Sequence, residues 1–226
     1  MQKVALPEQA EIDAFIGKYQ PHNLVLDPAN PIVINNLTPS DEITEMKYQQ
    51  AIGYQNSLQV MEEVFGEFEQ KFGRKKAAVE GYRTEDAEAV IITLGSMYGT
   101  AKYVVDQLRD KGIKVGAVKI TCFRPFPVAK LREVMGGIKK VAVLNRTTGF
   151  GAQGAPVWLE VKAALSSETL VKSYIGGLGG RDVSTDTIEK VFTDILAETN
   201  TSFDQPTWID CRTEEAMNIR KVETND

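Results

Sequence analysis

Five glycines in two turns have the setting in this 226-residue chain that best suits a bound anion. Gly95 stands with Ser96 between the apolar run AVIIT (89–93) and an amphipathic stretch that begins at Met97. A turn between strand and helix aims backbone N–H groups at a phosphate or carboxylate, and a residue without Cβ lets the ligand come close. Gly176, Gly177, Gly179 and Gly180 make a second turn of the same kind. Neither is complete as a nucleotide fingerprint. The first lacks GxGxxG spacing and an acidic residue after the second strand to take a ribose hydroxyl; the second lacks the Lys-Ser or Lys-Thr pair of a Walker loop. A structural turn with a cap is therefore expected at Gly95, with anion binding kept as the alternative at both turns.

Arg124 and Phe126 lie in TCFRPFP (121–127), where two prolines hold the chain extended after a strand. An Arg at the carboxyl edge of an open α/β sheet could grip a carboxylate or phosphate, or pair with an acid on a neighbouring domain. No second basic residue stands in the motif, which favours the interface. Arg146, at the end of the third strand, and Arg181 with Asp182, after the glycine turn, complete the candidate interface set, the last two pairing locally or across that interface. No catalytic, cofactor-binding or metal-binding residue is assigned.

Cys122 and Cys211 lie too far apart for a CxxC motif, and an iron-sulfur cluster needs about four thiolates, so none is expected in this chain. A single histidine, His22, removes most zinc, haem and triad schemes. Asp and Glu exceed Lys and Arg by 31 to 26, so no concentrated basic surface points to nucleic acid or an anionic membrane. The opening MQKVALPEQAEIDAF is acidic where a signal peptide is basic and then apolar, and no window is apolar enough to span a bilayer. A cytoplasmic location is expected.

The elements that must position these residues are set by periodicity. Residues 1–40, punctuated by five prolines, are expected as an extended arm with one short helix in AEIDAFIGKY and one short strand in PIVINN, whose Asn35 and Asn36 turn the chain or cap the next element. Apolar residues at Tyr54, Leu58, Met61, Phe65, Phe68 and Phe72 alternate steps of four and three, predicting one long helix from Asp41 to Phe72. Its length, on the order of 48 Å, exceeds the width of a small domain. Its stripe is expected to pack on this chain's own body, with another subunit as the alternative. Asp41 and neighbouring acids suit its start, Gly73 its stop, with a linker to residue 76. Residues 77–87 read as a connector.

From Ala89 the chain alternates short apolar runs with amphipathic stretches: strands at 89–93, 114–120, 139–146 and 170–178, helices at 97–111, 128–135, 156–167 and 185–198. Asp186 and Glu189 stand at capping-box spacing at the start of the last helix. The fold class is α/β: an open, mainly parallel sheet flanked by helices over 77–198, preceded by the arm and the long helix, and followed by a tail at 199–226 expected as a strand or arm.

LGSMYGT, FRPFP, VAVLNR with its glycine-rich follower, and YIGGLGGRDV together resemble the second domain of the alpha subunit of pyruvate:ferredoxin oxidoreductases, in the 2-oxoacid:ferredoxin oxidoreductase family. That domain is similar to the C-terminal domain of transketolases. The arm, the long helix and EGYRTEDAE resemble the stretch between the first and second domains of that subunit. The resemblance covers nearly the whole chain and is most specific at YIGGLGGRDV. It departs at Asn145, where the family often has Asp, leaving the role of Asn145 open.

The resemblance implies an oxidoreductase that converts pyruvate and coenzyme A to acetyl-CoA and carbon dioxide and passes electrons through iron-sulfur clusters to ferredoxin. Thiamine diphosphate, held by magnesium, and the clusters are expected elsewhere in that enzyme. The GDG and downstream Asn pair that hold the diphosphate and metal do not occur here, and the pyrimidine-binding domain that precedes this segment is missing, so an excised fragment or truncated product is expected. The implied partners are other domains or subunits of the same enzyme, with ferredoxin and coenzyme A reached through those; a homo-oligomer stays open. The expected role is assembly, with no catalysis by this chain alone. Pyruvate is the substrate the motifs match best, with 2-oxoglutarate, branched 2-oxoacids and oxalate open. A stand-alone module binding a phosphate or nucleotide at a glycine turn is the second function class. A transketolase or pyruvate dehydrogenase relative is a third, against which FRPFP and GGLGGRDV argue by resemblance.

Overall fold

The computed structural model describes residues 5–21, 25–33, 37–200 and 205–222, with side chains as far as residue 218. It forms two compact units, Met1–Lys76 and Ala77–Asp226.

In the first unit, α1 spans Gln9–Ile16 and α2 spans Ile43–Phe72. Gly73 stops α2 in the left-handed region (φ 65°), its N–H donating to the Glu69 carbonyl at 2.8 Å. The start differs from expectation. Glu42, not Asp41, precedes the first helical residue, and its side chain makes no capping bond, so acids there act through the helix dipole alone. Phe15 of α1 meets Phe68 and Phe72 of α2 edge to face, with centroids 6.0 and 5.3 Å apart. Neither helix buries a residue. Pro31–Val33 forms no strand, prolines at 28 and 31 having removed two donors; Asp27 instead closes a turn on Ala29 and Asn30. The remainder of PIVINN, including Asn35 and Asn36, lies outside the described residues, as does His22.

The second unit is a six-stranded sheet in the order β1-β3-β2-β4-β5-β6. Its strands are β1 (Val79–Tyr82), β2 (Ala89–Leu94), β3 (Val115–Ile120), β4 (Lys140–Asn145), β5 (Leu170–Ile175) and β6 (Thr207–Trp208). All neighbours pair in parallel except β1 with β3. Helices α3 (Met97–Asp110) and α6 (Thr185–Ala197) cover one face; α4 (Val128–Met135) and α5 (Pro156–Ala164) cover the other. Successive residues of β2 feed alternate layers: Ala89 and Ile91 meet Val105, Ile188 and Phe192, whereas Val90 and Ile92 meet Leu131, Trp158 and Val161. A strand buried on both faces has no polar side to show, which is why these runs read as continuously apolar.

Two stretches depart from expectation. Residues 79–82 are a sheet edge and not a connector: Val79 pairs with Ile120 and Tyr82 with Ala117. Chain and sheet come so close here that a Cβ on Gly116 would lie 2.6 Å from the Arg83 carbonyl oxygen. The tail adds β6 and then α7 (Thr213–Val222), in place of a strand or arm alone. The capping box of α6 also lies two residues earlier than expected. Ser184 Oγ accepts from Thr187 N at 3.2 Å and Thr187 Oγ1 accepts from Ser184 N at 3.3 Å, so Asp186 and Glu189 are not its members.

Candidate functional site

The carboxyl ends of β2 to β6 lie on one edge of the sheet, because those strands are parallel. The chain runs from β2 outward to β3 on one side and to β4 on the other, so the strand order reverses there. Loops at such an edge are where open α/β sheets carry ligand or partner contacts. Arg124, Phe126, Arg146, Arg181 and Asp182 all fall on them.

Arg124 follows β3. Its Nη2 donates to Glu160 Oε1 of α5 at 2.6 Å, its Nη1 donates to the Phe123 carbonyl at 2.9 Å, and its guanidinium lies 4.1 Å from the Phe123 ring centre. Half of the side chain stays exposed, so this ion pair adds little stability. Phe126 stands edge to face with Phe123, centroids 6.4 Å apart, and packs on the layer formed by α4 and α5. It supports the loop from beneath. The loop contains a cis Arg124-Pro125 bond, and Cys122 Sγ donates to the Pro125 carbonyl at 3.2 Å.

Arg146 follows β4, is exposed, and donates through Nε to the Gly177 carbonyl at 3.3 Å. Asn145 beside it is buried, and its Oδ1 accepts from Val157 N at 3.3 Å. Val157 is the second residue of α5, whose preceding Ala155 has no side chain to cap it. An amide from the strand end therefore satisfies a helix N–H that local sequence leaves open. Capping α5 is thus the role of Asn145.

The glycine turns behave differently from one another. Gly95 has φ 78° with open space where a Cβ would project, and Ser96 makes no side-chain capping bond to α3, so the expected cap is missing. Gly177, at φ 73°, is packed: a Cβ there would meet Val183 Cγ2 at 2.7 Å and Arg146 Nε at 3.1 Å. Over this second turn the tail lies as a strap. Ile209 N donates to the Ile175 carbonyl at 2.9 Å, and Arg181 Nη1 donates to the Asp210 carbonyl. Asp210, in the left-handed region at φ 56°, accepts from Thr187 Oγ1 and from Lys190 Nζ, each at 2.6 Å. Those two bonds, Lys190's first, hold its carboxyl below the usual range. The start of α6 thus already receives a carboxylate of the chain itself, where the sequence suggested an external anion. Asp182 is exposed, and Arg181 pairs with the strap and not with it.

Beneath the strap a cleft of about 220 Å³ is lined by Gly176, Leu178, Arg181, Trp208 and Cys211 among others. On the same sheet edge, the loop after β4 carries Phe150 entirely in solvent (103% exposed). Neither the strap nor Phe150 was expected from the sequence. Asp210 acts on α6 from 23 residues away and left no local signal. Phe150 did leave one, an aromatic residue framed by Gly149 and Gly151.

Among the described residues no three His, Cys, Asp or Glu side chains gather as metal ligands. Cys122 is buried, which raises its thiol pKa, and Cys211 is exposed. Two separated thiols do not fit an iron-sulfur cluster. Of the acids at this edge, Glu160 is engaged by Arg124, and Asp210 by Thr187 and Lys190.

A charged cluster on the face covered by α6 fastens β5 to that helix. Lys172 Nζ donates to Asp194 at 2.6 Å and to Glu198 at 2.9 Å, and Tyr174 Oη donates to Asp194 at 2.5 Å. The Lys172 bond, then the Asn200 amide, lower Glu198 to about 2. Burial, then the Asp194 bond, push the Tyr174 phenol far up, so it stays a neutral donor. The cluster serves cohesion between β5 and α6.

Residues 87–188 match pyruvate:ferredoxin oxidoreductase core domain II. The pyruvate synthase subunit PorA of Thermotoga maritima is 44% identical over 188 residues, 82% of this chain and 48% of its own length. PorA of Pyrococcus abyssi is 41% identical over 187 residues, 81% of this chain and 47% of its own. The alpha subunit of the NADH-dependent phenylglyoxylate dehydrogenase of Aromatoleum evansii is 37% identical over 220 residues, 92% of this chain and 53% of its own. The chain spans about half the length of the curated relatives it matches. With the domain match, the α/β sheet and these identities, it belongs to the pyruvate:ferredoxin oxidoreductase alpha-subunit family, within the 2-oxoacid:ferredoxin oxidoreductases.

Proposed function

We propose that this chain supplies core domain II of a pyruvate:ferredoxin oxidoreductase alpha subunit and acts in its assembly, without catalysing the reaction alone. The observation that carries this is the 44% identity to a pyruvate synthase alpha subunit over most of the chain. In the whole enzyme, pyruvate, coenzyme A and oxidised ferredoxin become acetyl-CoA, carbon dioxide and reduced ferredoxin. Thiamine diphosphate, magnesium and the iron-sulfur clusters are held by other domains or subunits, through which this domain meets coenzyme A and ferredoxin. Residues 1–40 act as an arm, 41–76 as a helix and linker reaching other domains, 77–198 as the domain body and 199–226 as its tail. The setting is the cytoplasm of an anaerobically growing cell. Arg124, Arg146, Arg181 and Asp182 serve contacts between domains, with Phe126 holding the loop that presents Arg124.

Pyruvate is favoured over other 2-oxoacids because the pyruvate synthase subunits of Thermotoga maritima and Pyrococcus abyssi, at 44% and 41% identity, are more similar than the phenylglyoxylate enzyme at 37%. Calorimetry of the purified chain with thiamine diphosphate and magnesium, together with a pyruvate-dependent dye-reduction assay, tests this. No saturable heat and no turnover are expected from the chain alone, with turnover appearing once the remaining subunits are added. Unaided turnover, or activity of the reconstituted enzyme with a different 2-oxoacid only, overturns it.

A further inference from the structure

The loop after β4 holds a phenyl ring wholly in water. Phe150 is 103% exposed between Gly149 and Gly151, the latter at φ 67°. Along the same edge stand Leu178 (37% exposed) and Trp208 (45% exposed), flanking the cleft under the strap. Arg124, Arg146 and Arg181 add exposed guanidinium groups to the edge of a chain whose net charge is −5. Aromatic and Arg side chains around a recess are the composition of an interface hot spot.

We infer, resting on the function proposed above, that this edge is a protein-docking face anchored by Phe150. Its occupant is an acidic, pocketed surface of the alpha-subunit segment that the relatives carry beyond the stretch this chain matches. Three features select that occupant. The relatives are about twice as long as the region matched, so a comparable length of subunit must cover some face of this domain. Arg146, which is exposed and donates to a backbone carbonyl, calls for a carboxylate opposite, which steers and orients docking. A second copy fits poorly, because a two-fold contact brings together two copies of one edge, each carrying Arg124, Arg146 and Arg181, so cations gather on both sides of it. A small anion also fits poorly, the start of α6 being filled by Asp210.

The test places the photo-crosslinker p-benzoylphenylalanine at position 150 of the full chain, expressed in its source organism, and sequences the adducts by mass spectrometry. Position 168, at the opposite edge of the sheet, and position 48, on α2, serve as controls. Adducts from position 150 are expected to carry alpha-subunit peptides, with a yield about ten-fold above position 168 and lowered about five-fold by Arg146→Glu. The Phe150→Ser chain should melt with the wild type, since the ring packs on nothing. Adducts with a second copy or with lipid, equal yields at 150 and 168, or indifference to Arg146→Glu overturn the proposal. If position 48 or 168 captures oxidoreductase peptides and 150 does not, the docking face falls and the oxidoreductase reading stands; if none captures them, both fall.

Discussion

The long helix and the sheet make opposite use of apolar residues. Across 30 residues α2 presents Leu58, Met61, Phe65, Phe68 and Phe72 on one stripe and buries none of them. Five successive residues of β2 are all buried. The difference is one of partners: β2 has a layer of helices on each face, whereas among the described residues of its own unit the ring-to-ring contacts made to α2 from outside it come from Phe15, at one end. The sheet unit therefore carries its own stability.

The comparison breaks most readily at paired phenylalanines. Phe192→Ala empties a fully buried site between α6 and the sheet and should cost about 3–5 kcal/mol, whereas Phe65→Ala on α2 should cost under about 1 kcal/mol, both read from urea midpoints. Equal losses would mean that α2 is as much part of the core as the sheet. Glycines sharpen it next. Gly116→Ala forces a Cβ within 2.6 Å of the Arg83 carbonyl and should cost about 1–3 kcal/mol. Gly53→Ala, in open space on α2, should stabilise by about 0.5–1 kcal/mol. If thermal melts moved the same way for both, the close approach of β1 would be wrong.

Removing the cap that joins strand to helix is a smaller change. Asn145→Ala strips α5 of its only side-chain acceptor among the described residues and should cost about 1 kcal/mol, with Asn145→Asp recovering most of it. An Asp variant no better than Ala would assign Asn145 to packing. The smallest effect is acid sensitivity. The folded value of Glu198 lies at about 2, below its ordinary 4.5, so its contribution is whole above about pH 4.5 and fades as pH falls towards 2. Lys172→Met should then lower the melting temperature at about pH 6 and much less at about pH 2.5; a gap that does not narrow refutes the pairing.

What was legible in the sequence was what repeats. α4 was expected at 128–135 and lies there because Pro127 and Gly136 bracket one amphipathic turn pair. The four central parallel strands announced themselves by β-branched runs buried on both faces. Elements too short to show a period were less legible: β1, of four residues, was read as part of a connector, and β6, of two, was expected only as a strand or arm somewhere in the tail. The edge was legible by residue type and not by partner. Arg124 and Arg181 were visible, but that Glu160 and the strap hold them depends on contacts 36 and 29 residues away. Asp210 was silent for the same reason.

The two tryptophans of this chain fall on opposite sides of that divide. Trp158 is buried, its Nε1 donating to the Val171 carbonyl at 2.9 Å and its ring so near Gly154 that a Cβ there would sit 2.2 Å away. Trp208 rides the strap, nearly half in water. In fluorescence the first emits from a dry site that acrylamide cannot reach, and the second from a wet one that it can. With Trp208→Phe the remaining emission reports on the sheet, and with Trp158→Phe on the docking edge, so the domain carries a built-in optical label for telling global unfolding from the arrival of a partner.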